Sequence, residues 1–425
     1  MHPQDPFASP CPADATSRDD MIAPARKGAR TSLSLLLLAT AWPAAPLAAQ
    51  VLKWQSADSV AGGPRVEGYV GVSVRFNASL DDYGLQGSYT FNPVNIDTTF
   101  GPDRGDNLLS FDLRQSRIRF GGTVRSTKLA AVEGYVETDF VGPNGATTLR
   151  LRKAWVEFKG VRIGQETSTF GVQQGLPPTT ADFDGPPTGV IIRSGMIRYT
   201  RKLGGGLQVM GSVETPKVDV AYLDYLAPDI RATDQRLPDF IVNASKAGGW
   251  GYVSLSAILR DIRFRTTTGT TSTAQSTVGF GGNLVGGFRL FKSDTKADVL
   301  YYQVVAGKGL GRYLVSLSGQ NADAVPDTAS GTLKAVPVYG GYVAYERRWT
   351  PQLFSTLIGG GNILKNEVEP TLADQFKTSF VMFNTFYQPI TPMKVGLEVD
   401  WGKKHTFTGI QAEALRYYLV VHYDF

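Results

Sequence analysis

The stretch from Ala412 to Phe425 has the sequence AEALRYYLVVHYDF, and it decides the fold. From Leu415 onward every second residue is apolar or aromatic, whereas the residues between them include Arg416 and Asp424. Successive side chains of a β-strand point to opposite faces, so this alternation predicts a strand with one apolar face and one wet face. The aromatic residues near the end of the stretch favour an apolar face that meets lipid.

The same alternation recurs along the chain. It appears in Val66–Phe76, where apolar residues occupy every second position, and again in Met393–Gly402. A β-structure that crosses a bilayer must close on itself, because no backbone group can stay unpaired in hydrocarbon. The sequence therefore predicts an all-β fold, a transmembrane antiparallel β-barrel of about 16 strands with short periplasmic turns and long outer loops. A soluble sandwich or propeller is the alternative, since alternating strands occur there too.

The first 49 residues have the features of an export leader. The apolar run Leu33–Trp42 follows three basic residues, and it is shorter than the roughly 20 residues that a spanning helix needs. This pattern predicts a cleaved signal peptide within residues 1–49, with Met21 as a candidate start, and a non-cleaved anchor is the alternative. Residues 50–65 would then form a short lead-in, and residues 66–425 a single transmembrane barrel.

Charge and cysteine usage exclude several classes of site. The only cysteine, Cys11, lies in the predicted leader, so the barrel is expected to carry no disulfide and no cysteine-ligated metal. The leader holds equal numbers of acidic and basic residues, so the net charge of the remainder stays +5. This excess forms no basic run, and we therefore expect no nucleic-acid partner.

Catalytic residues are not apparent in the predicted barrel. Its two histidines, His405 and His422, do not have metal-ligand spacing, and no nucleophile-elbow motif is present. We therefore expect no catalytic residue, no metal, no cofactor and no enzyme activity. A barrel-embedded hydrolase that pairs His422 with a Ser or Asp remains open, as does a plugged structural or adhesive barrel.

A proline-rich segment, about residues 168–189, is predicted to be a constriction loop that folds into the barrel. Its four prolines exclude a central strand, yet Phe170 and Leu176 make it more apolar than a solvated loop. The alternative is a loop packed on the rim or on a neighbouring subunit. Its candidate pore-facing residues are Gln173, Asp182, Phe183 and Asp184, although the two aspartates are also typical of turns.

Arginines on predicted strands are the informative charges. A cation that faces lipid at mid-depth costs about 2–4 kcal/mol, so most of these arginines should face the lumen or an interface. Guanidinium groups opposed by carboxylates across water can bind a carboxylate, or they can form salt bridges that only stiffen the wall. The candidate pore-lining residues are Arg75, Arg114, Arg117, Arg119, Arg150, Arg152, Arg193 and Arg198, with Glu133, Glu137 and Asp139.

Short motifs in the first third of the barrel resemble the DcaP-like trimeric outer-membrane porins. They are Arg114–Arg117, Val136–Phe140, Leu149–Trp155 and Gly164–Thr167, together with the proline-rich loop to Phe183. The resemblance covers roughly residues 67–199. It implies a sixteen-stranded homotrimer in the outer membrane that passes small anionic solutes, dicarboxylates among them. Members often carry an N-terminal periplasmic coiled coil, for which Val51–Pro64 is too short.

These observations predict an outer-membrane porin that allows passive diffusion of small hydrophilic, anionic solutes. Its expected partners are outer-membrane lipid, the solutes and two further copies of the chain. Selectivity would come from the bore and from the field of the lumen charges, with no covalent step.

Overall fold

The protein is described by a computed structural model. The structure describes residues 52–55, 64–85, 90–98, 105–126, 130–182, 185–220, 230–231, 235–268, 271–291, 297–327, 330–365 and 377–425. The predicted leader, residues 1–49, lies outside them. Among these residues no helix is long and apolar enough to cross a membrane.

The described chain is almost entirely β. The strands are β1 (Leu52–Gln55), β2 (Arg65–Tyr83), β3 (Gly105–Asp112), β4 (Arg117–Arg125), β5 (Val132–Val141), β6 (Thr147–Phe158), β7 (Val161–Thr167), β8 (Arg193–Gly204), β9 (Leu207–Glu214), β10 (Ile230–Arg231), β11 (Asp239–Gly248), β12 (Gly251–Thr268), β13 (Thr271–Leu290), β14 (Asp298–Lys308), β15 (Ala324–Asp327), β16 (Thr332–Ala335), β17 (Pro337–Arg348), β18 (Leu353–Leu364), β19 (Lys377–Ile390), β20 (Met393–His405) and β21 (Gln411–Asp424). One-turn 3-10 helices occur at Pro93–Asn95, Pro143–Gly145 and Gly311–Tyr313.

Antiparallel pairing of neighbours closes the sheet into a 16-strand barrel. The seam is formed by β2 and β21, where Val74 lies opposite Tyr423 and Leu80 opposite Tyr417. On its other side β2 pairs with both β3 and β4, which together fill one strand position. The predicted all-β barrel and its number of strands are confirmed.

Along most of the described barrel strands, exposed apolar residues alternate with less exposed residues of the inner face. In β21 the side chains of Tyr417 and Leu419 are exposed, whereas Arg416 and Tyr418 are buried. The opening stretch of sequence therefore has its apolar side toward lipid and its mixed side toward the lumen. This arrangement is the alternation expected of a membrane strand.

Three features of the strands differ from the expectation. The first strand was expected to end at Phe76, but β2 runs to Tyr83, because the polar residues of this stretch face the lumen. The sequence pattern predicts one strand to Ile262 and the next from Ser276, but β12 ends at Thr268 and β13 begins at Thr271. The additional stretch is rich in threonine, whose β-branched side chain favours strands. The hairpin β15–β16 forms a separate two-stranded sheet that the sequence pattern did not predict.

The connections differ between the two ends of the barrel. At the short-turn end, β6 and β7 are joined by residues 159–160, and β19 and β20 by residues 391–392. At the long-loop end, residues 84–104, 168–192 and 309–336 link consecutive strands. Described residues of these three loops, among them Phe91, Phe170 and Tyr313, pack inside the barrel.

Candidate functional site

Four arginines on β4 and β6 project into the lumen. Their neighbours Phe120 on β4 and Leu149 and Leu151 on β6 are exposed on the outer face, which fixes the arginines on the inner one. Arg117 and Arg119 belong to β4, and Arg150 and Arg152 to β6. We call these four residues, together with Arg75 on β2, the arginine wall.

Two carboxylates on β5 lie between the arginine strands. The Glu137 Oε1 atom accepts a hydrogen bond from Arg152 Nε at 2.9 Å and lies 3.9 Å from Arg117 Nη1. The Asp139 Oδ2 atom accepts from Arg152 Nη1 at 2.6 Å and from Arg150 Nη2 at 2.7 Å. Both carboxylates are buried, and the guanidinium groups compensate their charge.

A β-bulge explains why Arg152 reaches both carboxylates. Glu137 pairs with Lys153 and the next residue, Thr138, pairs with Leu151, which leaves Arg152 as an extra residue on β6. A bulge of this kind re-aims side chains locally. As a result Lys153 also points inward, where its Nζ atom lies 2.6 Å from Glu166 Oε1.

The seam supplies the rest of the arginine wall. The Arg75 Nη1 atom lies 3.2 Å from His422 Nδ1, and the Arg119 Nη2 atom donates to Asp424 Oδ1 at 3.1 Å. The side chains of Arg119 and Arg150 are 29% and 34% exposed, so both reach water. The wall therefore combines paired buried guanidinium groups with others that a solute can meet.

The other predicted pore-lining residues are more scattered. Arg114 lies in the break between β3 and β4, where its Nη1 atom donates to the Gly145 carbonyl at 2.5 Å. Arg198 is buried and donates to the Thr167 carbonyl at 3.3 Å. Arg193 is the first residue of β8 and lies on the same face of the strand as the outward Ile197, and so not on the inner face. Glu133 shares the face of Glu137 but is exposed near the start of β5.

Sequence reasoning passed over some charged residues that extend the arginine wall. Arg162 on β7 donates to Glu157 Oε2 at 2.7 Å, and its guanidinium carbon lies 3.7 Å from the centroid of the Trp155 ring. The inward position of Arg162 could be predicted from alternation, because its neighbours Val161 and Ile163 are exposed on the outer face. The bulge that brings Lys153 to the same face could not be predicted, because it shifts the register by one residue.

The first half of the 168–192 loop lies against the inner faces of β11 to β13. Asn283 Nδ2 donates to the Phe170 carbonyl at 2.7 Å, and Ser254 Oγ donates to the Val172 carbonyl at 2.9 Å. The ring of Phe170 is fully buried and meets Tyr313 edge-on at a centroid distance of 5.3 Å. The apolar residue that looked out of place in a loop is thus part of a core.

The second half of this loop contacts β19, β20 and the break after β3. Asn384 Nδ2 donates to the Thr179 carbonyl at 2.8 Å, and the Ala181 amide donates to Glu398 Oε2 at 2.9 Å. The Asp182 Oδ1 atom accepts from Gln115 Nε2 at 2.8 Å. Inward-facing side chains therefore bind the loop backbone at several points of the wall.

The remaining candidate residues of the loop have different surroundings. Gln173 accepts a hydrogen bond from the Tyr252 hydroxyl through its Oε1 atom at 3.3 Å. Asp182 is buried and bonded to Gln115, as described above. Phe183 and Asp184 lie outside the described residues.

The other two long loops also bury apolar residues. Leu310, Tyr313 and Leu314 of the 309–336 loop are fully buried in the same core as Phe170. The neighbouring Asp219 amide donates to Asp323 Oδ2 at 3.0 Å, and burial together with this carboxyl raises the pKa of Asp219. From the 84–104 loop, Phe91 packs over the inner face of β20 at Gly402. Residues of all three long loops therefore fill part of the lumen.

The family of the chain follows from its sequence. The model of the DcaP outer membrane protein family matches residues 109–425. The chain belongs to this family. The family predicted from the sequence motifs is confirmed, and with it the location in the bacterial outer membrane. No curated protein matches the chain.

Solved structures agree with the DcaP assignment at the level of fold. The outer membrane channel DcaP of Acinetobacter baumannii is 20% identical, with a TM-score of 0.70 over 85% of this chain and 97% of that one. The anion-selective porin from Comamonas acidovorans is 11% identical, with a TM-score of 0.53 over 85% and 100%. OmpT of Vibrio cholerae is 10% identical, with a TM-score of 0.51 over 85% and 98%. The DcaP family member described here is thus an outer-membrane β-barrel of the porin type.

The described residues do not form a recognised metal or catalytic site. In the described part of the chain, no group of three or more His, Cys, Asp or Glu side chains is arranged to hold a metal ion. The side chain of His422 lies beside that of Arg75 in the arginine wall. Family and fold together favour a protein that is not an enzyme.

Proposed function

We propose that this porin passes small hydrophilic anions by passive diffusion, with dicarboxylates among its solutes. The observation that supports this most directly is the arginine wall, whose guanidinium groups outnumber the carboxylates between them. Arg119 and Arg150 reach water, so an anion in the lumen can exchange part of its hydration shell for guanidinium donors. A cation on the same path meets a repulsive field.

The resemblance to trimeric members supports a homotrimer, with each chain carrying its own lumen. The inward loops support a narrow passage along the arginine wall, because their buried residues fill part of the lumen. The predicted signal peptide would direct the chain out of the cytoplasm before it inserts.

The test is single-channel conductance of the refolded protein in a planar bilayer, with a salt gradient to obtain the reversal potential. We expect conductance in steps of three and a reversal potential that shows anion preference. A unit charge about 6 Å from an ion in water contributes about 0.7 kcal/mol, which favours an anion and disfavours a cation. Neutralising Arg117 or Arg119 to Gln should therefore lower anion permeability about three-fold and raise cation permeability about three-fold, so that each change lowers the anion-to-cation permeability ratio about ten-fold.

Arg201 provides the matched control, because it is exposed on the outer side of β8, on the same face as Ile197 and Tyr199. Arg201→Gln should leave the permeability ratio unchanged. Cation preference in the wild-type protein would contradict the proposed selectivity. No conductance from a folded, inserted protein would contradict the open channel. It would favour the plugged structural barrel, in which the buried loops would block the lumen.

A further inference from the structure

Two carboxyl groups are buried beneath the 168–192 loop, at a distance from the arginine wall. Glu398 and Asp400 stand two residues apart on the inner face of β20, and their exposed fractions are 1% and 0%. The Glu398 Oε2 atom accepts from the Ala181 amide at 2.9 Å and from Asn384 Nδ2 at 2.8 Å. Within the described residues, Glu398 Oε1 and both oxygens of Asp400 have no hydrogen-bond partner.

The charged groups around the pair do not neutralise it. The charges that act on Asp400 are those of Glu398, of Asp182 in the loop and of Arg416 on β21. Arg416 is already engaged: its Nε and Nη2 atoms bind the carboxylate of Asp81 on β2, and its Nη1 atom donates to the Tyr418 hydroxyl at 3.0 Å.

The remaining neighbours add no donor to Asp400. Lys404, further along β20, directs its Nζ atom to the Ile96 carbonyl at 3.4 Å. From β19 the inward side chains at this level are Met382 and Asn384, which carry no charge. The pair is thus surrounded by one engaged cation and by further carboxylates.

A bare carboxylate in such surroundings is costly, because desolvation of an unpaired ion costs several kcal/mol. Two carboxyls that share one proton avoid most of this cost. A protonated Asp400 can donate to Glu398 Oε1, and this single hydrogen bond would use unpartnered oxygens of both residues. We propose that Glu398 and Asp400 form a proton-binding site whose proton holds the 168–192 loop against the inner wall.

The loop is the element that would respond to loss of this proton. Glu398 carries the hydrogen bond from Ala181, and the next loop residue, Asp182, is itself acidic. Ionisation of the pair would place three negative carboxylates together at the attachment point of the loop, and repulsion at low dielectric is strong. A rise in pH should therefore release the loop from the wall, and a fall in pH should fix it.

The proton itself is tested first, without reference to transport. We expect the infrared difference spectrum of the wild-type protein between neutral and alkaline pH to show the loss of a protonated carboxyl band. Asp400→Asn should remove that band, and Asp261→Asn should keep it, because Asp261 lies on the outer face of β12. A spectrum without a protonated carboxyl at neutral pH would overturn the proposal.

The effect on the loop rests on the proposed channel function, and it is measured as conductance against pH. We expect conductance and its fluctuations to increase at alkaline pH in the wild-type protein and in Asp261→Asn. Asp400→Asn should lose this increase, because its amide keeps the donor that the proton supplies. If Asp400→Asn does not fold, Glu398→Gln serves instead, since its amide keeps both an acceptor for Ala181 and a donor for Asp400.

The outcomes separate the two proposals. A protein that binds the proton but does not conduct would contradict the channel and leave the proton site intact. A conducting protein whose pH dependence is the same in Asp400→Asn and in the wild type would overturn the role of this pair in holding the loop.

Discussion

The arginine wall and the inner surface of β14, β17, β18 and β19 are built on different principles. Aromatic side chains on these four strands face inward and are buried; we call this surface, formed by Tyr301, Tyr342, Phe354, Phe380 and Phe386, the aromatic wall. Loop residues such as Phe91 and Ala181 pack on it. Ion pairs organise the first surface and apolar burial the second.

The difference shows how one barrel can hold its loops and keep a passage. An apolar wall gains free energy by excluding water, so it binds loops. The guanidinium groups of Arg119 and Arg150 would lose hydration if a loop covered them, and both stay partly exposed. The position of the passage is therefore set by which inner side chains can be buried by a loop without a loss of free energy.

The largest expected effect tests the aromatic wall. Phe386 is fully buried and stacks on Phe354 at a centroid distance of 5.6 Å, so Phe386→Ala should lower the free energy of unfolding by about 3–5 kcal/mol. Urea unfolding in detergent micelles measures this loss, and ion selectivity should not change. Phe383→Ala is the control, because this lipid-facing residue of the same strand opens no internal cavity. Equal losses in both variants would contradict the comparison.

An intermediate effect is expected where the loop reaches the arginine side. Gln115 accepts from Asn77 Nδ2 at 3.1 Å and donates to Asp182, so Gln115→Leu should cost about 1–3 kcal/mol and increase the noise of the open channel. Gln388→Leu is the matched change at the exposed short-turn end. If the current noise of Gln115→Leu equals that of the wild type, the contacts of Asn384 and Glu398 with the loop are sufficient to hold it.

The smallest expected effect sharpens the view of the arginine wall. Asp424 and its partner Arg119 are both partly exposed, so Asp424→Asn should change the free energy of unfolding by less than about 1 kcal/mol. Removal of this negative charge should raise anion permeability by up to about three-fold and lower cation permeability by up to the same factor, as measured by the reversal potential. A lowered anion preference would mean that Arg119 depends on Asp424 for its position.

Much of the fold was predictable because each strand carries its own alternation, as in Met393–Gly402. The pattern failed where inward residues are polar and small, as in the end of β2, since such a stretch resembles a loop. It also failed to show that the 84–104 and 309–336 loops pack inside, because their partners are distant in sequence. The inward position of Glu398 and Asp400 was predictable, and so was an inward-folding loop, but not that this loop would cover these two residues.

The candidate site was predictable to a similar degree. The inward positions of Arg117, Arg119, Arg150 and Arg152 follow from alternation and from the cost of a cation in lipid. Their pairing with Glu137 and Asp139 depends on the bulge at Arg152, which no single-sequence pattern locates.

The seam between β2 and β21 has a consequence for assembly. The buried ion pair of Asp81 and Arg416 joins residues that are 335 positions apart, so one of the tightest polar contacts of the barrel forms only when both ends of the sheet are present. Contacts between such distant residues slow folding, because a large loop-closure entropy is lost before they form. During synthesis and export the edge of β2 that pairs with β21 therefore stays unpaired until the end of the chain is available. We expect the chain to depend most on chaperones in that interval, since unpaired strand edges are the sites at which chains aggregate.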